Sequence, residues 1–384
     1  MLRHASSLDA TLGRFVPRGI ESITPGILEL LRVATYQLQH LERIPAHAAV
    51  ATSVSLAREL QGEHITKFVN AVLRRVAALP REQGDVPGST DVERLSRTWS
   101  HPAWLVERWT QRFGIDDTER LLEWNNTHPA LVVQPARGSI SALKDAFDAA
   151  GTKSFPAPYG AGLVVDETRP ERLPGFSAGT FYIQDPAQAM VLRFADFPAD
   201  ATVYDACAAP GGKTLGLGVR SATVIAADVS RRRISRLRQN IERAGSGREH
   251  VVIADALHPP VRAGMAFLLD APCLGTGTFA RHPDARLRVA PEALGRLADE
   301  QARLLDAAAA RIAPGGVLCY STCSLEPEED EAQVDAFLHR QPEFSRSPTA
   351  AVSGDLLTDA GDLMILPQRD GMDGAFAARL VRSA

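Results

Sequence analysis

The order of apolar and polar residues predicts helices in the first third of the chain. From Pro25 to Ala78 the apolar positions recur every three or four residues, as at Ile27 and Leu30, which is the spacing of a buried helix face. A second helical stretch runs from His101 to Trp124. Between the two, Leu79 to Thr90 is rich in proline, glycine and charge. We therefore expect a small helical domain, a linker and then further helices.

The pattern changes after residue 130. Leu131 to Gln184 contains short β-like runs broken by proline and glycine, which indicates an α+β segment. From Thr202 onward, short apolar runs alternate with helical stretches, and this alternation predicts a doubly wound, mostly parallel sheet flanked by helices. Ligands of such sheets bind at the carboxyl ends of the strands. The apolar runs are Val203-Tyr204, Val224 to Ala227, Val251 to Ile253, Ala266 to Leu269 and Val317 to Tyr320.

Composition places the chain among ordinary globular proteins. It is 45% hydrophobic and 23% charged, which excludes the disordered and fibrous classes. It contains no apolar run of about 18 residues that could span a bilayer, and its first ten residues lack the apolar core of a signal peptide. We expect a cytoplasmic monomer without a membrane partner.

Cysteine usage and net charge narrow the chemistry further. The four cysteines are widely spread without the spacing of zinc ligands, so we expect reduced thiols and no metal. The formal net charge of -4 gives no general attraction for a polyanion, so any nucleic-acid contact must come from local patches.

The segment Asp205 to Thr214, DACAAPGGKT, follows a short strand and opens a helix, which is typical of a cofactor loop. A phosphate-binding Walker loop would need glycine where Cys207 stands, and the dinucleotide fingerprint GxGxxG is absent. A turn that glycine merely stabilises is the purely structural alternative. The candidate cofactor-binding residues are Cys207, Ala208, Ala209, Pro210, Gly211, Gly212 and Lys213.

Aspartates follow the next two strands at the same edge of the predicted sheet. Asp228 ends its strand where a carboxylate can accept hydrogen bonds from ribose hydroxyls, and Asp255 could accept from the amine of an adenine. Each alone could equally be a solvated turn residue. Their shared position on successive strands favours a nucleoside-containing cofactor.

Two further strand ends carry thiols. Asp270 and Cys273 lie three residues apart in LLDAPCLGTG, and Cys323 leaves its strand among polar residues in YSTCSLEPEE. Cys319, within the same strand, is interpreted as a small buried hydrophobe.

Two thiols and a carboxylate suit substitution at carbon 5 of a pyrimidine. A thiolate that adds to carbon 6 makes carbon 5 nucleophilic, and a carboxylic acid such as Asp270 can hold the ring nitrogen. The carbon 5 proton must then leave and the thiol must be expelled, for which a second thiol is suited. Spacing alone leaves open which cysteine is the nucleophile.

Taken in order, DACAAPGGKT, Asp228, Asp255, LLDAPCLGTG and YSTCSLEPEEDE resemble the Sun/Nop-type RNA cytosine-C5 methyltransferases. QDPAQAMV from Gln184, RHPDARLR from Arg281 and DGMDGAFAARL from Asp370 are similar to further blocks of that family. Upstream, LLRVATYQLQHLERIPAHAAVATSVSLAR and FVNAVLRR are similar to the NusB-like domain of its RsmB subgroup.

The resemblance implies an all-α NusB-like RNA-binding domain, shortened at its amino end, over residues 1–85. It further implies a linker and α+β subdomain over 86–195 and a Rossmann-like class I methyltransferase domain over 196–384. The expected cofactor is S-adenosyl-L-methionine, held by Cys207 to Lys213, Asp228, Asp255 and Asp270. The expected nucleophile is Cys323, and Cys273 assists release of the adduct.

The expected substrate is RNA, first of all small-subunit ribosomal RNA. A transfer-RNA methyltransferase and a non-catalytic RNA-binding or ribosome assembly factor are the alternatives. Because the net charge is negative, we expect RNA to be bound by local arginines, with Arg231, Arg232, Arg233, Arg236 and Arg238 as one candidate cluster. A merely solvated helix face is the competing interpretation.

Overall fold

The structure, a computed structural model, describes residues 1–80 and 90–384, apart from the side chain of Met265. Most of the predicted linker, residues 81–89, lies outside the described residues. The chain forms two compact units, which are described in turn. Unit 1 contains Met1–Thr127 and His282–Arg288, and unit 2 contains His128–Arg281 and Val289–Ala384.

Unit 1 is helical, as the spacing of its apolar residues predicts. The apolar faces of α2, α3 and α4 pack on one another around fully buried residues such as Leu31 and Leu73. The later helices bury Trp109 and Leu121 in the same way. Its helices are α1 (Ala5–Gly13), α2 (Pro25–His40), α3 (Ala46–Gln61), α4 (Thr66–Ala77), α5 (Asp91–Trp99), α6 (Ala103–Phe113) and α7 (Ile115–Asn126).

Unit 2 begins with a small antiparallel sheet, which confirms the predicted α+β character of residues 131–184. The strand order is β2-β3-β1-β4, and α8 packs on this sheet through Leu143 and Phe147. The elements are β1 (Leu131–Pro135), α8 (Ile140–Ala149), β2 (Ser154–Pro156), β3 (Leu163–Val165) and β4 (Phe181–Ile183).

The second sheet of unit 2 has the order β10-β12-β9-β8-β5-β6-β7, with β11 paired to β12. Strands β5 to β9 are parallel, which confirms the doubly wound prediction. The elements are α9 (Pro186–Ala195), β5 (Thr202–Ala206), α10 (Gly212–Arg220), β6 (Thr223–Asp228), α11 (Arg231–Ala244), β7 (Glu249–Ile253), β8 (Gly264–Asp270), α12 (Pro291–Ala309), β9 (Ile312–Thr322), α13 (Glu331–Arg340), β10 (Phe344–Arg346), β11 (Leu363–Ile365), α14 (Pro367–Asp370) and β12 (Ala375–Arg382).

Strands β10, β11 and β12 are antiparallel to their neighbours, and the apolar pattern did not predict them. Strand β12 is rich in alanine and buried over most of its length, so it shows no alternation between an apolar and a polar face. Its pairing with β9 shields that strand on the side opposite β8. Strand β9, which leads to Cys323, is therefore held on both sides.

Side chains of the large sheet alternate between two cores. Val203, Leu268 and Cys319 face α9, whereas their neighbours Tyr204 and Leu269 face α12. Both faces of the parallel strands are thus covered, as burial of such strands requires. The carboxyl ends of β5, β6, β7, β8 and β9 lie along one edge, and the candidate residues follow these ends.

Candidate active site

The sheet brings the sequence-predicted residues to one edge. Asp228 is the last residue of β6, Asp270 is the last residue of β8, and Cys323 directly follows β9. The register pairs Asp270 with Ser321 on the neighbouring strand. Asp255 comes two residues after β7, slightly farther along than the pattern predicted.

The loop between β5 and α10 turns sharply because two of its residues adopt positive φ. Cys207 has φ of 62° and Gly211 has φ of 110°. The φ of Gly211 favours glycine, and a Cβ atom there would come 2.6 Å from Cδ1 of Leu237, so the Leu237 side chain would have to move. Ala208 N donates to Ala227 O over 2.8 Å, which ties the loop to the end of β6. The loop is therefore held between the end of β6 and α11.

Asp205 supports this loop from beneath. Its Oδ2 accepts a 2.6 Å hydrogen bond from the hydroxyl of Thr214, in the first turn of α10. The carboxyl group is almost completely buried, and burial raises its pKa to about 7. Asp205 opens the motif DACAAPGGKT, but the motif itself predicts no role for it. Its position inside a strand distinguishes it from the aspartates at strand ends.

Asp228 has the geometry expected of a ribose-binding residue. Its Oδ1 accepts from Ser230 N over 2.8 Å and from the guanidinium of Arg233 over 3.0 Å. Its Oδ2 is buried and has no hydrogen-bond donor among the described residues. A buried carboxylate oxygen needs a donor, and the hydroxyl groups of a ribose would supply it. Asp228 therefore fits the sugar of S-adenosylmethionine.

Asp255 is much more exposed, with 49% of its side chain accessible. Its carboxylate accepts from Leu257 N over 2.9 Å and contacts His258 at 3.3 Å. The hydrogen bond from Leu257 is the main cause that lowers the pKa of Asp255. The side chain is fixed as an acceptor beside the strand end, which suits an adenine amine.

Lys213 and Asp270 form an ion pair in the middle of the site. Lys213 Nζ lies 2.7 Å from Asp270 Oδ2, and it also donates to Gln188 Oε1. Ser321 Oγ donates to the other oxygen, Asp270 Oδ1, over 2.9 Å. The lysine, which the motif predicted only as a cofactor contact, thus orients the candidate base-binding carboxylate. This network holds Asp270 as a hydrogen-bond acceptor.

The two candidate catalytic thiols are in contact. Cys273 Sγ and Cys323 Sγ lie 3.5 Å apart, although 50 residues separate them in the chain. The pKa of Cys273 is raised, first by its hydrogen bond with Cys323 and then by burial. Cys273 therefore stays protonated and can donate to the sulfur of Cys323.

The other two cysteines are unsuited to nucleophilic attack. Cys319 is completely buried in β9, and burial raises its pKa to about 12. Burial also raises the pKa of Cys207 to about 12, with the nearby carboxylates Asp270 and Asp228 adding to the shift. A thiol must ionise to act as a nucleophile. Neither thiol takes part in the contact between Cys273 and Cys323, so the pair at the strand ends remains the candidate for covalent chemistry.

Sequence reasoning missed two residues that orient the site, Ser321 and Gln188. Ser321 precedes Cys323 by two positions on β9, so period-two alternation could have placed both on one face of the sheet. Gln188 lies on α9, and no local pattern connects it with Lys213.

Neither a metal site nor a membrane segment is found within residues 1–80 and 90–384. No group of three histidine, cysteine or acidic side chains in this part of the chain lies close enough together to hold an ion. No described helix combines the length and apolar character needed to cross a bilayer.

Comparison with protein families and relatives identifies the chain. Residues 192–381 match the family described as 16S rRNA methyltransferase RsmB/F. Residues 1–78 match the NusB family, and residues 101–170 match the ferredoxin-like domain of RsmF/B-like methyltransferases. A probable ribosomal RNA small subunit methyltransferase B of Synechocystis is 31% identical, in an alignment that covers 100% of this chain and 89% of the relative. This chain belongs to the RsmB/F methyltransferase family.

Further relatives agree with this family assignment. A probable ribosomal RNA small subunit methyltransferase B of Bacillus subtilis is 30% identical over 98% of this chain and 87% of its own length. Among solved structures, PH0851 has a similar fold, with a TM-score of 0.84 and 23% identity over 99% of this chain and 88% of its own. NSun6 from Pyrococcus horikoshii, solved with SFG, has a TM-score of 0.66 and 20% identity, covering 74% of this chain and 98% of its own. The resemblance inferred from the motifs is therefore confirmed.

Proposed function

We propose that this protein transfers a methyl group from S-adenosylmethionine to carbon 5 of a cytosine in RNA, with Cys323 as the covalent nucleophile. The observation that carries the proposal is the 3.5 Å contact between the Cys323 and Cys273 sulfur atoms, at the sheet edge that also holds Asp270. A site with one thiol for attack and a second thiol beside it matches the two stages of this substitution.

The glycine loop from Cys207 to Lys213, Asp228 and Asp255 would hold the cofactor. The unpaired Oδ2 of Asp228 supports this assignment, because a ribose hydroxyl would satisfy it. When bound, S-adenosylmethionine supplies an electrophilic methyl group on a positively charged sulfur. Among the described residues, no cluster suited to a metal ion lies near these positions.

In the first stage, the Cys323 thiolate forms a bond to carbon 6 of the ring, and the electron pair of the C5–C6 double bond moves toward carbon 5. Asp270 is oriented by Lys213 and Ser321 to hold the ring nitrogen of the cytosine. The ammonium of Lys213 stabilises negative charge that develops on the ring. Carbon 5 then accepts the methyl group.

In the second stage, Cys273 takes the carbon 5 proton, the double bond forms again and the bond from carbon 6 to Cys323 breaks. The hydrogen bond with Cys323 is the main cause of the raised pKa of Cys273. Once Cys323 is bonded to carbon, its sulfur carries no charge and accepts hydrogen bonds only weakly. Cys273 must lose its own proton before it takes the carbon 5 proton, and loss of this hydrogen bond removes the largest cause that opposes that step.

The names of the relatives make small-subunit ribosomal RNA the proposed substrate. Arginines of α11 supply a candidate contact surface. Arg231, Arg232, Arg236 and Arg238 are exposed, and in the described part of the chain none of the four forms an ion pair, whereas Arg233 pairs with Asp228. The cytoplasmic location and the monomeric state remain predictions.

Replacement of each thiol tests the mechanism. Cys323→Ala should abolish methyl transfer, because the ring is never activated without addition at carbon 6. Cys273→Ala should still permit addition and methyl transfer but slow the expulsion of Cys323. A covalent protein–RNA adduct should then accumulate and appear as a slowly migrating band on denaturing gels with labelled RNA.

Cys319→Ala is the matched control, because this buried thiol lies on the same strand but faces the core. It should form product without a stable adduct. An adduct that is trapped by Cys323→Ala and lost in Cys273→Ala would reverse the roles of the two thiols. A protein that binds RNA but forms neither product nor adduct in any variant would be a non-catalytic binding factor.

A further inference from the structure

Glu329 lies behind both cysteine-bearing segments and is completely buried. On one side it contacts the segment after β8. The backbone N of Leu274, the residue that follows Cys273, lies 3.0 Å from Glu329 Oε1 and 3.2 Å from Oε2. The amide of Gln301, on α12, donates both to Glu329 Oε1 over 3.0 Å and to Pro272 O over 2.9 Å. Glu329 and Gln301 thus hold the backbone before and after Cys273.

On its other side, Glu329 contacts the segment after β9. The hydroxyl of Ser324, the residue that follows Cys323, donates to Glu329 Oε2. The same hydroxyl accepts from Glu326 N over 3.1 Å, so it is fixed in orientation. The backbone carbonyl of Glu329 accepts a 2.6 Å hydrogen bond from the hydroxyl of Tyr320 on β9. A single residue is therefore hydrogen-bonded to the neighbours of both thiols.

The electrostatics of Glu329 argue against a role in stability alone. It forms no ion pair with any described residue, and the donors to its carboxylate are neutral. Burial raises its pKa, and the hydrogen bonds from Ser324, Leu274 and Gln301 oppose that shift. A buried carboxyl group without a cation is costly in free energy. A function that depends on its geometry would account for its presence.

We propose that Glu329 is a positioning residue for the Cys273–Cys323 pair. Its carboxylate links the residues that follow the two cysteines and so fixes the distance between the sulfur atoms. The proposal rests on the proposed function for its consequence in catalysis, since addition by one thiol and release by the other require both to face the same ring. A displacement of about 1 Å can slow such a reaction about a hundredfold.

The test measures thiol proximity directly, in the full-length protein without RNA or cofactor. Dibromobimane becomes fluorescent only when it alkylates two neighbouring thiols. The wild type should react faster than Cys273→Ser, which gives the background rate. Glu329→Gln replaces one acceptor oxygen by a donor that faces other donors, so the two segments should separate. We expect the cross-linking rate to fall about tenfold or more.

Asp362→Asn is the matched control for stability. Asp362 is another buried carboxyl group of unit 2, and it pairs with Arg346 over 2.9 Å, away from the cysteines. The Asp362→Asn substitution should lower the melting temperature and leave the cross-linking rate unchanged.

Ser324→Ala removes only the hydrogen bond on the Cys323 side, and it serves as the second variant if Glu329→Gln does not fold. It should slow cross-linking in the same direction.

A wild-type cross-linking rate in folded Glu329→Gln, or in folded Ser324→Ala if Glu329→Gln does not fold, would overturn the proposal.

The methylation reaction provides a second measurement. In a single turnover, Glu329→Gln should shift the ratio of trapped adduct to released product, whereas Asp362→Asn should not. If the wild type never methylates RNA but its cross-linking still depends on Glu329, the proposed function fails and the positioning role stands. If the wild type methylates RNA but the cross-linking rate does not depend on Glu329, the positioning role is wrong and the proposed function stands.

Discussion

The two oxygens of Asp228 have different surroundings, and this difference predicts its contribution to cofactor binding. Oδ1 accepts from Ser230 and Arg233, whereas Oδ2 is buried without a donor among the described residues. Asp228→Ala should weaken S-adenosylmethionine binding by about 1 to 3 kcal/mol, the usual cost of leaving polar groups unpaired. Isothermal titration calorimetry measures this change.

Asp255→Ala provides the comparison, because this carboxylate is half exposed. Water can replace part of its interaction with an adenine amine, so we expect a smaller loss than for Asp228→Ala. Equal affinity of wild type and Asp228→Ala, with both proteins folded, would contradict the ribose assignment.

The carboxyl group of Asp205 should make stability depend on pH. Burial raises its pKa in the folded protein to about 7, above the value of about 3.9 in an unfolded chain. The folded state therefore binds this proton more tightly, and the free energy of unfolding should fall as pH rises from about 4 to about 7. The full effect of such a shift is at most about 4 kcal/mol.

Asp205→Asn removes this titration but retains an oxygen that can accept from Thr214. Relative to wild type, the variant should gain stability as pH rises from 5 to 8, measured by denaturant unfolding without cofactor. Asp373, whose pKa burial also raises to about 7, is present in both proteins and cancels in the difference. If the stability difference between Asp205→Asn and wild type is the same at pH 5 and pH 8, Asp205 is already ionised at pH 5 in the folded protein.

Sequence patterns predicted which residues gather at one sheet edge, because a parallel sheet aligns its strand ends. Asp228, Asp270 and Cys323 required only the positions of three strands. The contacts of Lys213 with Asp270 and of Glu329 with both cysteine segments could not be predicted in this way. They depend on side-chain directions and on packing between residues far apart in the chain.

At the element scale, helix α11 yields a test of RNA binding. Charge reversal at Arg232 and Arg236 should weaken RNA binding, because these exposed arginines have no partner carboxylate among the described residues. Loss of two phosphate contacts should reduce the slope of log affinity against log salt by roughly 1 to 2. Fluorescence anisotropy at several salt concentrations gives this slope.

The same charge change on α12, at the exposed residues Arg296 and Arg303, is the control. It lowers the net charge equally, so a general electrostatic effect would act on both double variants. We expect the control to retain a wild-type slope. If the α11 variant retains it as well, RNA is bound on another surface.

Residues of three sequence blocks without an assigned role meet in unit 2. Arg281 donates to Asp185 Oδ2 over 2.6 Å and to Asp373 Oδ2 over 3.0 Å. Next to Asp373, the backbone N of Gly374 donates to Gly277 O over 2.8 Å, and Gly277 N donates to Cys323 O over 2.9 Å. The segments before α9, after β8 and before β12 are thus connected to the segment that carries Cys323. Periodicity could predict the elements but not this convergence.

For the molecule as a whole, the family predicts which RNA is methylated, and the proposed chemistry predicts the conformation of the target cytosine. The family predicts small-subunit ribosomal RNA. The proposed covalent mechanism requires the cytosine to leave its stack, because Cys323 would have to reach carbon 6 from one face of the ring. We therefore expect a cytosine in an unpaired or easily opened segment of that RNA.

Bisulfite sequencing of RNA from a strain that lacks this gene tests the target, since methylation at carbon 5 protects cytosine from deamination. One position in small-subunit ribosomal RNA should lose protection in the deletion strain. Wild-type protein should restore it, and Cys323→Ala should not, although that variant keeps the surface that binds RNA. Restoration by Cys323→Ala would mean that the protein acts through assembly of the ribosome rather than through its own thiol. A loss confined to transfer RNA would keep the chemistry and change the substrate, because the thiol pair acts on the cytosine ring whichever RNA presents it.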